Sequence, residues 1–163
     1  MKRELNLNVE RILPYNIKKA LFLAKILNDC GRDMAQKYGL HHWDNSMIKS
    51  CLIVGIGLLK NRVYLVSERK NPVATFQVKK TDNALFFEKL AVSPEVSGKG
   101  YGSYCMRLIE KMATKLGCER VQMEVYDQSR HAIEFYQKRG YLQVGKTGTR
   151  KYTDLVMEKI VGN

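Results

Sequence analysis

The feature of the sequence that most constrains the fold lies in the second half of the chain, where segments with the pattern of strands alternate with segments with the pattern of helices. Residues 84–92 (ALFFEKLAV) have the composition of a strand, and apolar positions recur at helical spacing through residues 101–116. Residues 120–126 again favour a strand, and residues 131–139 favour a helix. This alternation predicts an α/β fold in which helices pack against a sheet.

Further helices are predicted before this region. Apolar residues recur at helical spacing from Tyr15, which predicts one or two helices that Gly31 or Gly39 can end. The run SCLIVGIGLL at residues 50–59 is about half as long as the ~20 residues of a membrane span, so it predicts a buried segment. Periodicity does not separate a short buried helix from a strand, and we favour the helix. No membrane is expected among the partners.

Strand pairs are predicted on both sides of the alternating region. Residues 62–67 and 73–78 are rich in β-branched and aromatic side chains and flank the turn-like segment ERKNP, which predicts a hairpin. Residues 141–144 and 154–161 predict two closing strands around a Gly-Lys-Thr-Gly turn. Gly140 suits the cap of the helix before them.

The net charge of the chain indicates which classes of partner it can attract. Its 163 residues include 28 Lys or Arg and 16 Asp or Glu, a formal net charge of +12. Such a charge predicts attraction to polyanions: nucleic acid, anionic membrane or phosphorylated cofactors. Basic residues are scattered rather than clustered with aromatics, so nucleic acid is not expected as a partner. The length and the lack of a linker or repeat predict a single domain over residues 1–163.

Cysteines and histidines do not suggest a metal site. The four cysteines form no C-x-x-C pair and indicate small buried side chains of a reducing compartment: Cys30, Cys51, Cys105 and Cys118. His41 and His42 are far in sequence from His131, so no metal is expected. Residues 1–10 lack the apolar core of a secretory signal, and a cytoplasmic location is expected.

A glycine-rich loop, SPEVSGKGYGS at residues 93–103, lies between the third strand and the following helix. Three glycines without Cβ atoms and the unpaired N–H groups of a helix start are suited to hold a pyrophosphate. The alternative is a flexible loop that opens a helix. A dinucleotide fingerprint fails because its third glycine position is Ser103. A literal P-loop match at residues 140–147 lacks the required strand before it and helix after it.

Two segments together resemble the GNAT superfamily of acetyl-CoA-dependent N-acetyltransferases. LAVSPEVSGKGYGSYCMRLIEKMA (residues 90–113) is similar to the family's strand, pyrophosphate loop and helix, with the signature Q/R-x-x-G-x-G/A. AIEFYQKRGY (residues 132–141) is similar to its second signature, A-x-x-F/L-Y-x-K-x-G-F/Y. Ser97 stands where the family commonly has Arg or Gln, and Ser129 where it often has Asn.

The resemblance implies a mixed, twisted central sheet of about six to seven strands, flanked by helices and splayed between two parallel strands. Acetyl-CoA is implied as co-substrate, with its pantetheine arm pairing with the third strand as an added strand would. The resemblance assigns these residues to cofactor binding: Leu90, Ala91, Val92, Ser97, Gly98, Lys99, Gly100, Tyr101, Gly102, Ser103, Ser129 and Lys138.

The resemblance also implies the chemistry. A backbone N–H, at Val92, would stabilise the oxyanion, and Tyr136 would protonate the leaving thiolate. Tyr136 also fits a core aromatic, because it belongs to an apolar helical stripe. Glu88 is the best side chain for the base, on the strand face of Leu90 and Val92 by alternation, although a solvated or salt-bridged glutamate fits equally well. Tyr126 is a weaker candidate.

Other residues have weaker claims to a catalytic role. Asp127, at the end of the strand at residues 120–126, is a weaker base than Glu88. His41, His42 and Trp43 fit a packed loop, or the lining of an acceptor pocket. No cysteine has a histidine near it in sequence, so a cysteine nucleophile is not expected.

The sequence therefore predicts an N-acetyltransferase that transfers an acetyl group from acetyl-CoA to a primary amine of a small molecule, an amino acid or a protein. The alternative is a non-catalytic coenzyme A-binding sensor, suggested by Ser97 and Ser129. The acceptor is not named by the sequence, but the positive charge disfavours polyamines and cationic antibiotics. The sequence does not decide whether the chain forms a homodimer.

Overall fold

The computed structural model describes residues 6–43 and 46–162. One sequence interpretation falls partly outside them, since the segment 1–10 includes residues 1–5. The elements in chain order are β1 Leu7–Ile12, α1 Ile17–Tyr38, α2 Met47–Lys60, β2 Arg62–Glu68, β3 Asn71–Lys80, β4 Ala84–Val92, a 3-10 turn Pro94–Val96, α3 Tyr101–Lys115, β5 Arg120–Tyr126, α4 Arg130–Gln137, β6 Leu142–Gly148 and β7 Thr153–Ile160.

The seven strands form one mixed sheet in the order β1-β2-β3-β4-β5-β7-β6. β1 and β2, β5 and β7, and β6 and β7 pair antiparallel, whereas β4 and β5 pair parallel. This confirms the predicted α/β fold and its parallel pair of strands. Between β4 and β5 the register runs only from Ala84 opposite Arg120 to Phe86 opposite Gln122, although β4 continues to Val92.

The described residues fall into two compact units, one drawn from Met1–Gln77 and Lys89–Cys105, the other from Val78–Glu88 and Met106–Asn163. The first unit has a core to which α1, α2, β1, β2 and β4 contribute. Its buried members are Ile12, Leu23, Ala24, Ile26, Leu27, Val54, Val63, Leu65 and Ala91. In the second unit, β5 lies beside β7, and Val121, Met123 and Met157 are buried.

Helix α1 is a single helix that passes through Gly31 and ends at Gly39. Gly39 has the left-handed φ of 65°, and its N–H donates to the carbonyl of Ala35 at 3.0 Å. Such a conformation suits glycine, which ends many helices. Of the two predicted stops, Gly39 is therefore the one that the chain uses.

Helix α2 confirms the predicted helix but not its predicted burial. Ser46 caps it by accepting a hydrogen bond from the Lys49 N–H at 3.3 Å. Only Ser50, Val54 and Gly57 are buried, whereas large apolar side chains on the other face are exposed, Leu52 by 62% and Leu59 by 79%. The prediction of a buried segment was wrong because a helix beside a sheet packs on one side only. No helix among the described residues is long and apolar enough to cross a bilayer.

The two hairpins differ from their predicted bounds. Arg69 and Lys70, with φ of 48° and 73°, form a two-residue turn between β2 and β3. The Gly-Lys-Thr-Gly turn was wrong, because β6 extends to Gly148, which pairs with Thr153. The turn instead comprises residues 149–152. The P-loop match at residues 140–147 therefore covers two residues that precede β6 and most of that strand, which agrees with its rejection.

One further strand and one helix end also differ from the prediction. β1, an edge strand paired with β2, was not predicted. Helix α4 ends at Gln137 with Lys138 as its cap, and Gly140, with φ of 85°, follows two residues later.

Candidate active site

The glycine loop is an exposed segment held at both ends. The Ser93 N–H donates to the carbonyl of Val73 at 2.8 Å, where β4 ends. Gly98 and Gly100 have φ of 78° and 92°, a region in which side chains are strained. Apart from the glycine and the residues adjoining it in the chain, no described residue has an atom within 4 Å of where either Cβ atom would be. The main chain is therefore open to a ligand here, directly before α3 begins.

Tyr101, the first residue of α3, anchors the loop. Its side chain is 1% exposed, and its hydroxyl donates to Oε2 of Glu68 at 2.7 Å. Its side chain therefore packs inside the protein rather than facing a ligand. Ser97 and Lys99 are exposed, whereas Gly102 and Ser103 are half-buried in the first turn of α3.

The end of β4 is irregular. Lys89 has a left-handed φ of 52°, which is costly for a residue with a side chain, and its ammonium lies 5.4 Å from the Trp43 ring centre. Alternation of side chains assumes an extended backbone at every residue. Because Lys89 is not extended, alternation does not place Glu88 and Leu90 on the same face of β4, and Glu88 itself is half-buried.

The carbonyl of Val92, the last residue of β4, accepts a hydrogen bond. The Cys30 thiol donates to it at 2.9 Å, and burial raises the pKa of that thiol to about 12. Successive strand residues direct their N–H groups to opposite edges, and the Ser93 N–H faces β3. The N–H of Val92 is thus directed away from β3.

Tyr136 lies in an aromatic cluster of the second unit. It is 8% exposed, and its ring centre lies 5.9 Å from that of Phe87, 5.2 Å from Phe135 and 6.0 Å from Tyr141. Burial raises the pKa of its phenol far above the usual value, an effect that the Arg139 cation opposes. The hydroxyl therefore stays protonated at neutral pH.

The sequence did not predict the polar contacts of Tyr141, whose ring lies next to that of Tyr136. The Tyr141 hydroxyl donates to Oε1 of Glu110 at 3.2 Å, and the Lys159 ammonium lies 3.1 Å from both oxygens of the same carboxylate. Tyr141 also packs edge-on to Phe87, with ring centres 6.4 Å apart. The only sequence signal was the aromatic residue that ends the second signature.

Ser129, before α4, is buried with an unsatisfied hydroxyl. It is 2% exposed, and its Oγ has no hydrogen-bond partner among residues 6–43 and 46–162. Its carbonyl accepts from the N–H groups of Ala132 and Ile133. Because an unpaired buried hydroxyl is costly, Ser129 is suited to a ligand contact. Lys138, at the other end of α4, is exposed.

The predicted residues divide between the two units. The first holds those of the strand end and the loop: Leu90, Ala91, Val92, Ser97, Gly98, Lys99, Gly100, Tyr101, Gly102 and Ser103. The second holds Glu88, Ser129, Tyr136 and Lys138. The part of the chain described by the structure contains no group of three or more potential metal ligands.

The other candidate side chains have ordinary structural contacts. The Asp127 carboxylate accepts from the side-chain amide of Gln128 at 2.9 Å, and the His42 and Trp43 ring centres lie 6.3 Å apart. Cys105 is buried, which raises the pKa of its thiol to about 12 and makes it a poor nucleophile.

Comparison with known proteins identifies the family. The sequence model of the acetyltransferase (GNAT) family matches residues 22–141, which include the glycine loop and Tyr136. The chain belongs to the GNAT family of acetyltransferases. The resemblance seen in the two signatures is thereby confirmed. A search of curated protein sequences found no significant match.

Solved structures share the GNAT fold with this acetyltransferase. The PaiA N-acetyltransferase of Thermoplasma acidophilum, solved with coenzyme A, has a TM-score of 0.77 at 16% identity over 96% of this chain and 99% of its own. A putative GNAT acetyltransferase of Desulfovibrio desulfuricans has a TM-score of 0.75 at 11% identity, covering 95% and 99%. An aminoglycoside 6'-N-acetyltransferase, complexed with coenzyme A, has a TM-score of 0.72 at 14% identity, covering 94% and 97%.

Proposed function

We propose that this chain, residues 1–163 acting as one catalytic domain, transfers an acetyl group from acetyl-CoA to a primary amine. The observation that carries the proposal is the glycine loop. Gly98 and Gly100 adopt left-handed φ angles in open space before α3, in the segment that the family model matches. A helix start with accessible N–H groups favours a pyrophosphate. Two structures of the same fold are coenzyme A complexes.

The remaining cofactor contacts are inferred from the main-chain and side-chain groups that each segment presents. The main-chain N–H groups from Gly98 to Ser103 would bind the pyrophosphate, with Lys99 or Lys138 as a cation for phosphate oxygens. The main chain from Leu90 to Val92 would pair with the pantetheine amides. The buried hydroxyl of Ser129 would gain the hydrogen bond that it lacks in the free protein.

The transfer would proceed by direct attack of a neutral amine on the thioester carbonyl. The carbon–nitrogen bond forms while the carbonyl oxygen gains charge, which the N–H of Val92 would stabilise. The carbon–sulfur bond then breaks, and the Tyr136 hydroxyl would give its proton to the thiolate. Glu88, through water, would take the proton that the amine loses. Burial of Tyr136 keeps the phenol protonated for this step.

Release of free thiol tests the proposal. Purified protein is mixed with acetyl-CoA, with and without a panel of amines, amino acids and peptides. We expect thiol release that depends on at least one acceptor and acetylated product in equal amount. Acetyl-CoA binding without transfer to any acceptor would support the non-catalytic sensor instead.

A further inference from the structure

Helices α1 and α2 leave large apolar side chains uncovered on the side that faces away from the core. Leu23 of α1 and Val54 of α2 belong to one buried cluster, so both helices pack against the same core. Six Ile and Leu side chains of these helices are nevertheless exposed by 45% to 83%, and we call them the outer apolar face: Ile17, Leu21, Ile48, Leu52, Ile56 and Leu59. Apolar side chains exposed singly are common, whereas a group of them on one face marks an interaction surface.

The part of the outer apolar face on α2 is a ridge. Ile48, Leu52 and Ile56 follow one another at intervals of four residues, which places them side by side on the helix. Leu59 comes three residues later and extends the ridge to roughly 16 Å. Ile48 and Leu59 are exposed by 83% and 79%, so the ridge projects from the protein and does not line a groove.

The charges that accompany the ridge are all positive. Residues 46–67 include Lys49, Lys60 and Arg62 and no Asp or Glu. All three cations are exposed, and none of them forms an ion pair with another described residue. Lys49 adjoins Ile48 and Lys60 adjoins Leu59, so each end of the ridge carries a cation. A complementary partner therefore has an apolar interior and a negatively charged boundary.

A bilayer meets these requirements better than a second copy of the chain. In a symmetric dimer the same surface faces itself, so the lysines of one ridge would meet the equally basic ridge of the other copy. Protein interfaces also depend most on Trp, Tyr and Arg side chains, whereas this ridge consists of Ile and Leu. Acyl chains accept projecting aliphatic side chains without a preformed groove, and anionic headgroups attract the lysines.

We propose that the outer apolar face binds the surface of an anionic bilayer, with the α2 ridge among the acyl chains and Lys49 and Lys60 at the headgroups. Such a helix lies on the membrane and does not cross it. The expectation that no membrane is a partner rested on the run at residues 50–59 being short and buried, and the structure leaves one side of that run exposed. The proposal does not depend on the proposed acetyl transfer.

Sedimentation with lipid vesicles tests the proposal. Purified protein is centrifuged with vesicles of phosphatidylcholine, and with vesicles in which phosphatidylserine replaces a third of that lipid. We expect the protein to sediment with the vesicles that contain phosphatidylserine and only weakly with the neutral ones. The assay needs neither acetyl-CoA nor an acceptor, so the failure of catalysis would leave its result unchanged.

A matched pair of variants tests the apolar contact. Leu52→Gln with Leu59→Gln should lower the partition coefficient on the anionic vesicles about tenfold, because two aliphatic side chains no longer enter the acyl region. Leu142→Gln with Ile160→Gln removes side chains that are similarly exposed, by 71% and 64%, on β6 and β7. This control should stay within about twofold of wild type. Thermal melts establish that both variants are folded.

A second matched pair tests the charge. Lys49→Gln with Lys60→Gln should lower the partition coefficient roughly tenfold on the anionic vesicles and leave it unchanged on the neutral ones. Lys79→Gln with Lys115→Gln removes the same charge from exposed positions on β3 and α3. Binding of this control should remain within about twofold of wild type, because charges far from the headgroups are screened by salt.

Other outcomes would overturn the proposal. These are no binding to the anionic vesicles, equal binding to both kinds of vesicle, or an equal loss in a variant and its control. A wild-type dimer that Leu52→Gln with Leu59→Gln converts to a monomer in sedimentation velocity would mean that a second copy covers the face. Tight binding of soluble polyglutamate that requires the same two leucines would assign the face to an acidic polypeptide.

Discussion

At the scale of single residues, Tyr136 packs in an aromatic cluster, and its role as the acid that protonates the thiolate stays a prediction. Replacing Tyr136→Phe keeps the ring and removes only the hydroxyl. We expect kcat to fall by about 10²–10⁴-fold, with the Kd of acetyl-CoA and the Tm nearly unchanged. Steady-state kinetics and thermal melts measure this, and Tyr15→Phe, at an exposed position, is the control. A lower Tm with kcat preserved would make Tyr136 a structural residue only.

At the scale of elements, the glycine loop and α3 form the proposed cofactor-binding element. The double variant Gly100→Val and Gly102→Val should abolish the rise in Tm that acetyl-CoA causes, because branched side chains block the approach to the main chain. Gly117→Val is a suitable control, since Gly117 also has a left-handed φ, of 69°, in open space after α3. The control should lose intrinsic stability but keep the cofactor-induced shift. Retention of that shift in the double variant would contradict the loop assignment.

The helices and strands also show how much of the fold the sequence could predict. Helix α3 and strand β5 were predicted almost to the residue, because their periodicity and flanking glycines are local signals. β1 was missed because it lies at the edge of the sheet and pairs with β2, which is distant in sequence. The extension of β6 depends on register with β7, which outweighs the turn preference of Gly145 and Gly148. In the site, the glycine loop was predictable, whereas the contacts of Glu110 with Tyr141 and Lys159 require the folded chain.

At the scale of the whole molecule, two buried phenols make stability depend on alkaline pH. Burial raises the pKa of both Tyr136 and Tyr141, and Glu110 adds to the effect at Tyr141. A group whose pKa is raised by folding stabilises the protein below its unfolded pKa, here about 10, and that contribution is lost as pH rises toward the folded value. We expect the Tm to fall more steeply above pH 10 for wild type than for Tyr136→Phe/Tyr141→Phe. Parallel Tm profiles from pH 8 to 11 would contradict this, and Tyr15→Phe should follow wild type.

The turn between β2 and β3 offers a route to engineering this scaffold. Arg69 and Lys70 both adopt left-handed φ angles, a two-residue geometry in which Asn-Gly is strongly favoured. Their side chains therefore raise the free energy of the native turn, and the chain tolerates that cost. Arg69→Asn with Lys70→Gly should stabilise the fold by about 1 kcal/mol, a rise in Tm of roughly 2–4 °C. A more heat-tolerant parent would let the less stable site variants above be purified and assayed at ordinary temperatures.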